Sequence, residues 1–136
     1  MCRIAGIINP SLEQAAARAM VKEMCRLLKH GGPDDEGMYE DENNSLVLGH
    51  RRLSLIDLSQ AGHQPMSYGD GRYWISYNGE LYNYPEIKEE LAKAGFQFTT
   101  TSDTEAILAA FAAWGTNALK RFNGMFAFAL WDKEKR

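Results

Sequence analysis

The chain has 136 residues, of which 45% are hydrophobic and 24% are charged, a composition typical of one soluble globular domain. A formal net charge of -3 gives no reason to expect nucleic acid or an anionic membrane as a partner, and no apolar run approaches the ~20 residues of a membrane span. The two cysteines are too few for a disulfide framework. We therefore expect a reduced, cytoplasmic protein.

The N-terminal part of the sequence predicts a strand followed by a helix. Residues 2–9 read as a short, buried, β-branched strand. Ser11 and Gln14 have the spacing of a capping box, which predicts a helix start there. That helix should end near His30, because Gly31-Gly32-Pro33 cannot continue it. Its core-facing residues, spaced at helical intervals, are predicted to be Met20, Met24, Leu27 and Leu28.

The middle of the chain predicts strands joined by loops. A polar loop is predicted over residues 33–44 and a strand over residues 45–57. After a second loop, Gly69-Asp70-Gly71 has the composition of a tight turn. This turn leads into a strand that we predict over residues 72–77.

The C-terminal part predicts helices and one further strand. Pro85 suits the first turn of a helix and Gly95 suits its end. A second capping box, Ser102-Asp103-Thr104-Glu105, predicts a helix that runs to Gly115. A short helix then precedes a strand predicted over residues 125–131. The core-facing residues of the first of these helices are predicted to be Ile87, Leu91 and Ala94.

No internal repeat or linker divides the sequence, so residues 1–136 are interpreted as one domain. Strands and helices alternate without the spacing of βαβ units, which favours an α+β layered sandwich over a parallel doubly wound sheet. The polar residues after the last predicted strand have no further strand to pair with. We therefore expect a partial domain that lacks its C-terminal strands.

Cys2 is the first candidate catalytic residue. We expect removal of Met1, because cysteine is a small residue after the initiator, and removal places a thiol and a free α-amine on one residue. Such an amine, with a pKa of about 7.7–8.0, can accept the proton of a thiol. A buried structural cysteine is the alternative, and position 2 alone does not decide between the two.

A series of short motifs accompanies Cys2 in chain order. They are Met1-Cys2-x-Ile4-Ala5-Gly6-Ile7, His30-x-Gly32-Pro33-Asp34, Gly49-His50-Arg51-Arg52-Leu53-Ser54, Ala61-Gly62-His63-Gln64-Pro65, Tyr77-Asn78-Gly79-Glu80-Leu81-Tyr82-Asn83 and Ser102-Asp103-Thr104-Glu105. Together they closely resemble the class II glutamine amidotransferase domain of glutamine-dependent asparagine synthetases. The resemblance runs nearly from end to end of the chain.

This resemblance implies a fold and a reaction. The expected fold is the four-layered αββα sandwich of N-terminal-nucleophile hydrolases. The Cys2 thiolate would attack the side-chain amide of L-glutamine, ammonia would leave, and water would hydrolyse the thioester to glutamate. The ammonia would pass to an ATP-dependent synthetase domain or subunit. ATP and Mg²⁺ are expected only there, because this chain has no Ser-Gly-Gly-x-Asp-Ser pyrophosphate loop, and the resemblance leaves a homodimer open.

The resemblance also implies which residues bind glutamine. Arg52 would grip the substrate carboxylate, since a guanidinium holds a carboxylate through two hydrogen bonds. Asp103 would hold the substrate ammonium, although a carboxylate at a helix start also suits an N-cap. The pocket would be completed by Glu80 and by backbone groups of Leu53, Ser54, Leu55 and Ile56.

Asn78 and Gly79 have two interpretations. An Asn-Gly pair by itself favours a hairpin turn. The resemblance instead makes the Asn78 side-chain amide and the Gly79 backbone N–H the oxyanion hole for the tetrahedral intermediates. Glycine would let the backbone approach the substrate closely.

Two positions near the nucleophile depart from the family pattern. The residue after the nucleophile is typically glycine but is Arg3 here, and the motif His-Arg-Gly-Pro-Asp has Gly31 in place of its arginine. Because Arg3 alternates with Cys2 along the strand, its side chain should leave on the opposite face. The exchange either relocates a charge or weakens the site. A non-catalytic glutamine-binding or assembly module is therefore the alternative function.

The remaining candidates have a simpler explanation. Cys25 lies within a helical pattern and is interpreted as a packing residue. Arg51 is interpreted as a solvated neighbour of Arg52. The histidines and cysteines lack the spacing of a zinc site, so no metal is expected.

Overall fold

The computed structural model describes residues 2–54 and 60–135, along which strands and helices alternate. The strands are β1 (Arg3–Ile8), β2 (Asp35–Asp41), β3 (Leu46–Arg52), β4 (Met66–Tyr68), β5 (Tyr73–Leu81) and β6 (Gly124–Asp132), and the helices are α1 (Gln14–Leu27), α2 (Tyr84–Lys93) and α3 (Asp103–Trp114). Short 3₁₀ segments lie at Leu28–Gly31, Glu42–Asn44, Gln60–Gly62 and Gly115–Arg121.

The strands of the described ranges form two antiparallel sheets, in the orders β1-β3-β2 and β4-β5-β6. Helix α1 packs on the first sheet, α3 packs on the second, and the two sheets face each other. Polar contacts join the sheets: the Ser76 hydroxyl donates to the Gly49 carbonyl at 2.9 Å, and His50 Nε2 donates to the Tyr77 carbonyl at 2.9 Å. The layers are therefore helix, sheet, sheet, helix, which confirms the predicted α+β sandwich.

The core beneath α1 differs from the prediction. The helix buries its small side chains against β1 and β3, namely Ala17, Val21 and Cys25. Gly49 of β3 permits this close approach, because a Cβ there would lie 2.6 Å from Cys25 Sγ. Met20 and Leu27 are 48% and 61% exposed, so the predicted core face of this helix is wrong. The interpretation of Cys25 as a packing residue is confirmed.

The larger core lies between the second sheet and helices α2 and α3. Ile87 and Leu91 of α2 are buried as predicted, whereas Ala94 is an exposed residue at the end of that helix. Residues 103–110 of α3 are all buried. A cluster of aromatic rings from α3, from the segment after it and from β6 packs against this core, and its members are Phe111, Phe122, Phe126 and Phe128.

The two predicted capping boxes have different outcomes. The Ser102 hydroxyl accepts the Thr104 N–H at 3.1 Å, so Ser102 caps α3 as predicted. The Glu105 carboxylate turns away and accepts the preceding N–H groups of Thr99 and Thr100, at 2.8 Å each. The first box is wrong, because α1 has Glu13 at its N-cap without a side-chain hydrogen bond.

Several strand boundaries also differ from the prediction. The polar segment predicted as a loop over 33–44 contains β2, an edge strand with two charged residues at each end and Gly37, Met38 and Tyr39 between them. Strand β5 continues past residue 77 to Leu81, so the hairpin-turn reading of Asn78 and Gly79 is wrong. The short strand β4 was not predicted. None of the described helices is long and apolar enough to cross a membrane.

Candidate active site

Cys2 lies immediately before β1, beside the end of β3. The antiparallel register of these strands pairs Arg3 with Arg51, which brings Cys2 next to the residues that follow β3. The Leu53 N–H donates to Cys2 Sγ at 3.3 Å, and the thiol lies 3.5 Å from the Leu53 carbonyl oxygen. The thiol of the predicted nucleophile is thus held by backbone groups of a predicted substrate-binding residue.

The segment before β2 fixes this end of β3. The Asp34 N–H donates to the Arg52 carbonyl at 3.0 Å, and the Asp34 carboxylate accepts the Ser54 N–H at 2.8 Å. The Gly32 carbonyl accepts Arg51 Nε at 2.9 Å. These contacts bracket Leu53, so they determine where its N–H points.

Arg51 is not the solvated neighbour that was predicted. Its side chain is buried and is paired with both the Gly32 carbonyl and the Glu36 carboxylate. Arg51 alternates with Arg52 along β3, so its side chain points toward α1 rather than toward the second sheet. Arg51 therefore holds the segment before β2 against the sheet.

Arg52, the predicted carboxylate-binding residue, is also buried. It follows His50 by two residues and lies on the sheet face that looks toward the second sheet. Its guanidinium lies against Gly62, where a side chain would overlap it. The residue opposite Arg52 in β2 is Asp35, whose carboxylate pairs with His63 Nδ1 at 2.6 Å. The loop that contains Gly62 and His63 therefore shapes the surroundings of Arg52.

Asn78 and Gly79 lie within β5, paired with Ala127 and Phe126 of β6. The Asn78 side chain is on the same face as that of Ser76, toward the first sheet. Its Oδ1 atom is buried without a hydrogen-bond partner among the described residues. A Cβ on Gly79 would overlap the backbone of β6, so glycine is required there by strand packing as well as by any approach to substrate.

The backbone of β5 directs the Gly79 N–H toward the edge away from β6. Alternate N–H groups of a strand point to the same edge. The N–H groups two positions before and after Gly79 both have hydrogen-bond partners away from β6. The Tyr77 N–H donates to Gln64 Oε1 at 2.7 Å, and the Leu81 N–H donates to Asp103 Oδ2 at 3.0 Å. The Gly79 N–H therefore points between these two anchors, past the end of β4.

Asp103 lies at the first turn of α3 and faces this edge. Its Oδ2 atom accepts the Tyr77 hydroxyl at 2.8 Å as well as the Leu81 N–H. Among residues 2–54 and 60–135 no donor is recorded for its Oδ1 atom. Burial is the main reason that the pKa of Tyr77 is raised, and the carboxylates of Asp103 and Glu80 and the Cys2 thiol add to the effect. The Tyr77 hydroxyl therefore stays protonated and donates to Asp103.

His50 is buried between the two sheets and stays neutral. Burial lowers its pKa to about 4, against a smaller opposite effect of its hydrogen bond to Tyr77. Because a carbonyl only accepts, the proton of the neutral ring is on Nε2. Its Nδ1 atom has no partner among the described residues.

The predicted site residues that the structure describes come from two parts of the fold. Cys2, Arg52, Leu53 and Ser54 come from the first sheet, and Asn78, Gly79, Glu80 and Asp103 come from the second sheet and α3. The predicted pocket residues Leu55 and Ile56 lie outside the described residues. In the described ranges, no group of three or more His, Cys, Asp or Glu side chains could hold a metal ion.

Sequence reasoning did not single out the residues that hold these groups in place. Gln64, Asp34 and Tyr77 each make hydrogen bonds that orient a predicted site residue or its neighbour. All three lie inside the motifs quoted above, so the motifs contained the signal. Their partners are distant in sequence, and that is why the sequence did not reveal the roles.

Known proteins of one family match this chain over nearly all of its length. The profile of the family described as "Glutamine amidotransferase domain" matches residues 1–136. Asparagine synthetase (glutamine-hydrolysing) 1 of Bacillus subtilis strain 168 is 43% identical over 135 residues, which are 98% of this chain and 21% of that protein. Asparagine synthetase B (glutamine-hydrolysing) of Escherichia coli K12 is 38% identical over 135 residues, which are 99% of this chain and 24% of that protein. The chain thus spans about a fifth to a quarter of the length of these relatives.

A solved structure supports the fold. Glutamine phosphoribosylpyrophosphate amidotransferase from Bacillus subtilis, complexed with ADP and GMP, matches with a TM-score of 0.55 and 23% sequence identity. The match covers 66% of this chain and 22% of that one. The likeness supports the α+β sandwich fold.

Proposed function

Because the chain belongs to the glutamine amidotransferase domain family, we propose that it hydrolyses L-glutamine to L-glutamate and ammonia, with Cys2 as the nucleophile. The observation that supports this proposal is that β1 and β3 contact β5 across the interface between the two sheets. The Cys2 thiol is held by Leu53 just after β3, the open edge of β5 presents the Gly79 N–H, and the Asn78 side chain points from β5 toward the first sheet. A nucleophile and oxyanion donors are the two components that acyl transfer requires.

Three side chains suit the polar groups of free glutamine. The Arg52 guanidinium has the fork geometry that binds a carboxylate. Asp103 keeps Oδ1 for the substrate ammonium, since its structural hydrogen bonds fall on Oδ2. Glu80 borders the same place from β5. Backbone groups of Leu53, Ser54, Leu55 and Ile56 complete the proposed pocket.

The proposed reaction has two steps. Cys2 Sγ forms a bond to the amide carbon of glutamine, and the oxyanion is stabilised by Asn78 Nδ2 and the Gly79 N–H. The C–N bond then breaks. The leaving nitrogen of the substrate amide receives the proton that came from the thiol and departs as ammonia. Water attacks the γ-glutamyl thioester, which releases glutamate and restores the thiol. The α-amine of Cys2, freed by removal of Met1, transfers the protons.

The fate of the ammonia follows from the relatives. Both curated proteins are named as glutamine-hydrolysing asparagine synthetases, and this chain corresponds to a small share of each. We propose that the ammonia passes to an ATP-dependent synthetase domain or subunit of that kind. ATP and Mg²⁺ would act there, and no residue of this chain is assigned to them.

A glutaminase assay combined with intact-mass measurement tests the proposal. The purified chain, with its N-terminus determined by mass, is incubated with glutamine and, separately, with a diazoketone analogue of glutamine. We expect glutamate and ammonia in the first case and a single adduct on Cys2 in the second. Glutamine binding without turnover or adduct would instead indicate the non-catalytic module. Full turnover in protein that retains Met1 would contradict the role of the α-amine.

A further inference from the structure

Arg3 makes a direct contact with the residue that carries the nucleophile. Its Nη1 atom donates to the Cys2 carbonyl oxygen at 2.9 Å. The alternation of β1 places its side chain on the α1 side of the sheet, opposite the Cys2 thiol, as the sequence predicts. The guanidinium therefore holds the Cys2 backbone from behind and leaves the thiol face open.

Gly31 provides the surface on which this guanidinium lies. A Cβ at position 31 would be 2.5 Å from both Cζ and Nε of Arg3 and 2.8 Å from Nη2. The side chain of Arg3 thus occupies the space that a larger residue at 31 would need. The two departures from the family pattern are in contact, so they are one structural feature.

The segment that carries Gly31 also holds the other partner of the thiol. The Gly32 carbonyl accepts the Arg51 side chain, and Asp34 bonds the backbone of Arg52 and Ser54 on both sides of Leu53. Leu53 in turn donates to Cys2 Sγ. Arg3 therefore connects the Cys2 carbonyl to the same segment that fixes the donor to its thiol. A change at this contact alters the position of Cys2 relative to Leu53.

We propose that Arg3 is a positioning residue that holds Cys2 for catalysis. Its guanidinium packs on Gly31 and takes the place of the arginine that the family pattern has at position 31. This inference rests on the proposed function for its effect on turnover. The effect on the geometry of Cys2 does not depend on it. The charge-assisted hydrogen bond to the Cys2 carbonyl fixes one end of the guanidinium, and its packing against Gly31 fixes the other.

The test compares Arg3→Ala, Gly31→Arg and the double variant with the parent protein. We expect Arg3→Ala to lower kcat about 10-fold, as for the loss of one charge-assisted hydrogen bond, with the KM for glutamine nearly unchanged. Gly31→Arg alone should also lower kcat, because its side chain displaces the Arg3 guanidinium. The double variant should recover most of the loss, since it restores one cation in the same space.

Arg26→Ala is the matched control, because Arg26 is exposed on α1 and pairs locally with Glu23. It should leave kcat unchanged. A melting temperature for every variant separates positioning from stability. If Arg3→Ala lowers only the melting temperature, or if the double variant is no better than Arg3→Ala, the proposal is overturned.

A second readout keeps the inference testable without glutamine turnover. The rate of alkylation of Cys2 by iodoacetamide is followed by peptide mass, with the buried Cys25 as an internal reporter of unfolding. Arg3→Ala should slow alkylation of Cys2 several-fold and leave Cys25 unreactive, because the thiolate loses its aligned Leu53 donor. Should the parent protein lack glutaminase activity, this slowing would still support the positioning role. An unchanged Cys2 rate would overturn it.

Discussion

Tyr77 links both halves of the site through its backbone and its side chain. Its carbonyl accepts His50 from the first sheet, its N–H donates to Gln64, and its hydroxyl donates to Asp103. Replacement of Tyr77 would therefore disturb several groups at once. Single-residue tests are more informative at positions that carry one proposed role.

Asn78→Ala and Arg52→Lys should affect different kinetic constants. Loss of an oxyanion donor acts in the transition state, so Asn78→Ala should lower kcat by roughly 10²–10³-fold. Arg52→Lys replaces a bidentate fork by a point charge and should mainly raise the KM for glutamine. Steady-state kinetics with purified variants measures both constants. A change in KM alone for Asn78→Ala would assign that residue to substrate binding.

His50 should make the folded state sensitive to acid. Its pKa is 6.5 as an ordinary group and about 4 when buried in the fold, so between these values the unfolded chain binds a proton that the folded chain does not. The free energy of unfolding should therefore be highest above pH 6.5. It should fall by up to roughly 3 kcal/mol as the pH drops toward 4.

Urea unfolding at several pH values measures this dependence. His50→Gln is the comparison variant, because a glutamine amide can donate to the Tyr77 carbonyl and does not titrate. The variant should show a shallower decline between pH 6.5 and 4. Equal slopes in both proteins would show that other groups cause the acid sensitivity.

At the scale of secondary structure, α1 shows what a periodic pattern can and cannot predict. The pattern predicted the helix, although α1 ends at Leu27 and a 3₁₀ segment continues to Gly31, and it favoured the large residues Met20 and Leu27 for the core. The helix instead turns Val21 and Cys25 inward, because β3 offers Gly49 at the contact. The size of the opposing residue is information that a helix sequence does not contain.

Strand β2 shows a second limit of sequence reasoning. Its charged residues resemble those of a loop, and an edge strand that faces solvent tolerates them. The residues of the candidate site could be named from the sequence, since they lie in recognisable motifs. Their hydrogen-bond partners could not, because β3, β5 and α3 meet only in the folded chain.

Gly49→Ala should destabilise the contact between α1 and β3. The added Cβ would lie 2.6 Å from Cys25 Sγ and 2.7 Å from Val21 Cγ1, and such overpacking costs roughly 1–3 kcal/mol. Cys25→Ala should restore part of this loss in the Gly49→Ala background, because it removes the atom that clashes. Chemical denaturation of both single variants and the double variant measures the coupling. Additive losses would contradict the close contact.

At the scale of the whole molecule, the two sheets should unfold together. Trp131 Nε1 donates to Asp41 across the interface at 2.9 Å, and the ring of Tyr39 stacks on Trp74 at 3.9 Å between centroids. These contacts join the sheet that carries α1 to the second sheet. Cooperative unfolding of a domain gives coincident transitions by different probes.

Tryptophan fluorescence and alkylation of Cys25 are suitable probes of this cooperativity. Fluorescence reports on the sheet interface, and Cys25 becomes reactive only when α1 leaves β3. We expect the same urea midpoint from both measurements. Exposure of Cys25 at a lower urea concentration would show that the layer of α1 opens before the sheets separate.

The direction of the Gly79 N–H has a consequence for how this domain can vary in length. The donor points to the open edge of β5 only because Gly79 lies two positions from Tyr77 and two positions from Leu81. One residue inserted or removed between these anchors would turn a carbonyl oxygen toward the same place, and two negative dipoles would then oppose each other. The side chains of β5 can be exchanged one at a time. The number of residues between Tyr77 and Leu81 must stay the same, because it sets the direction of the Gly79 N–H.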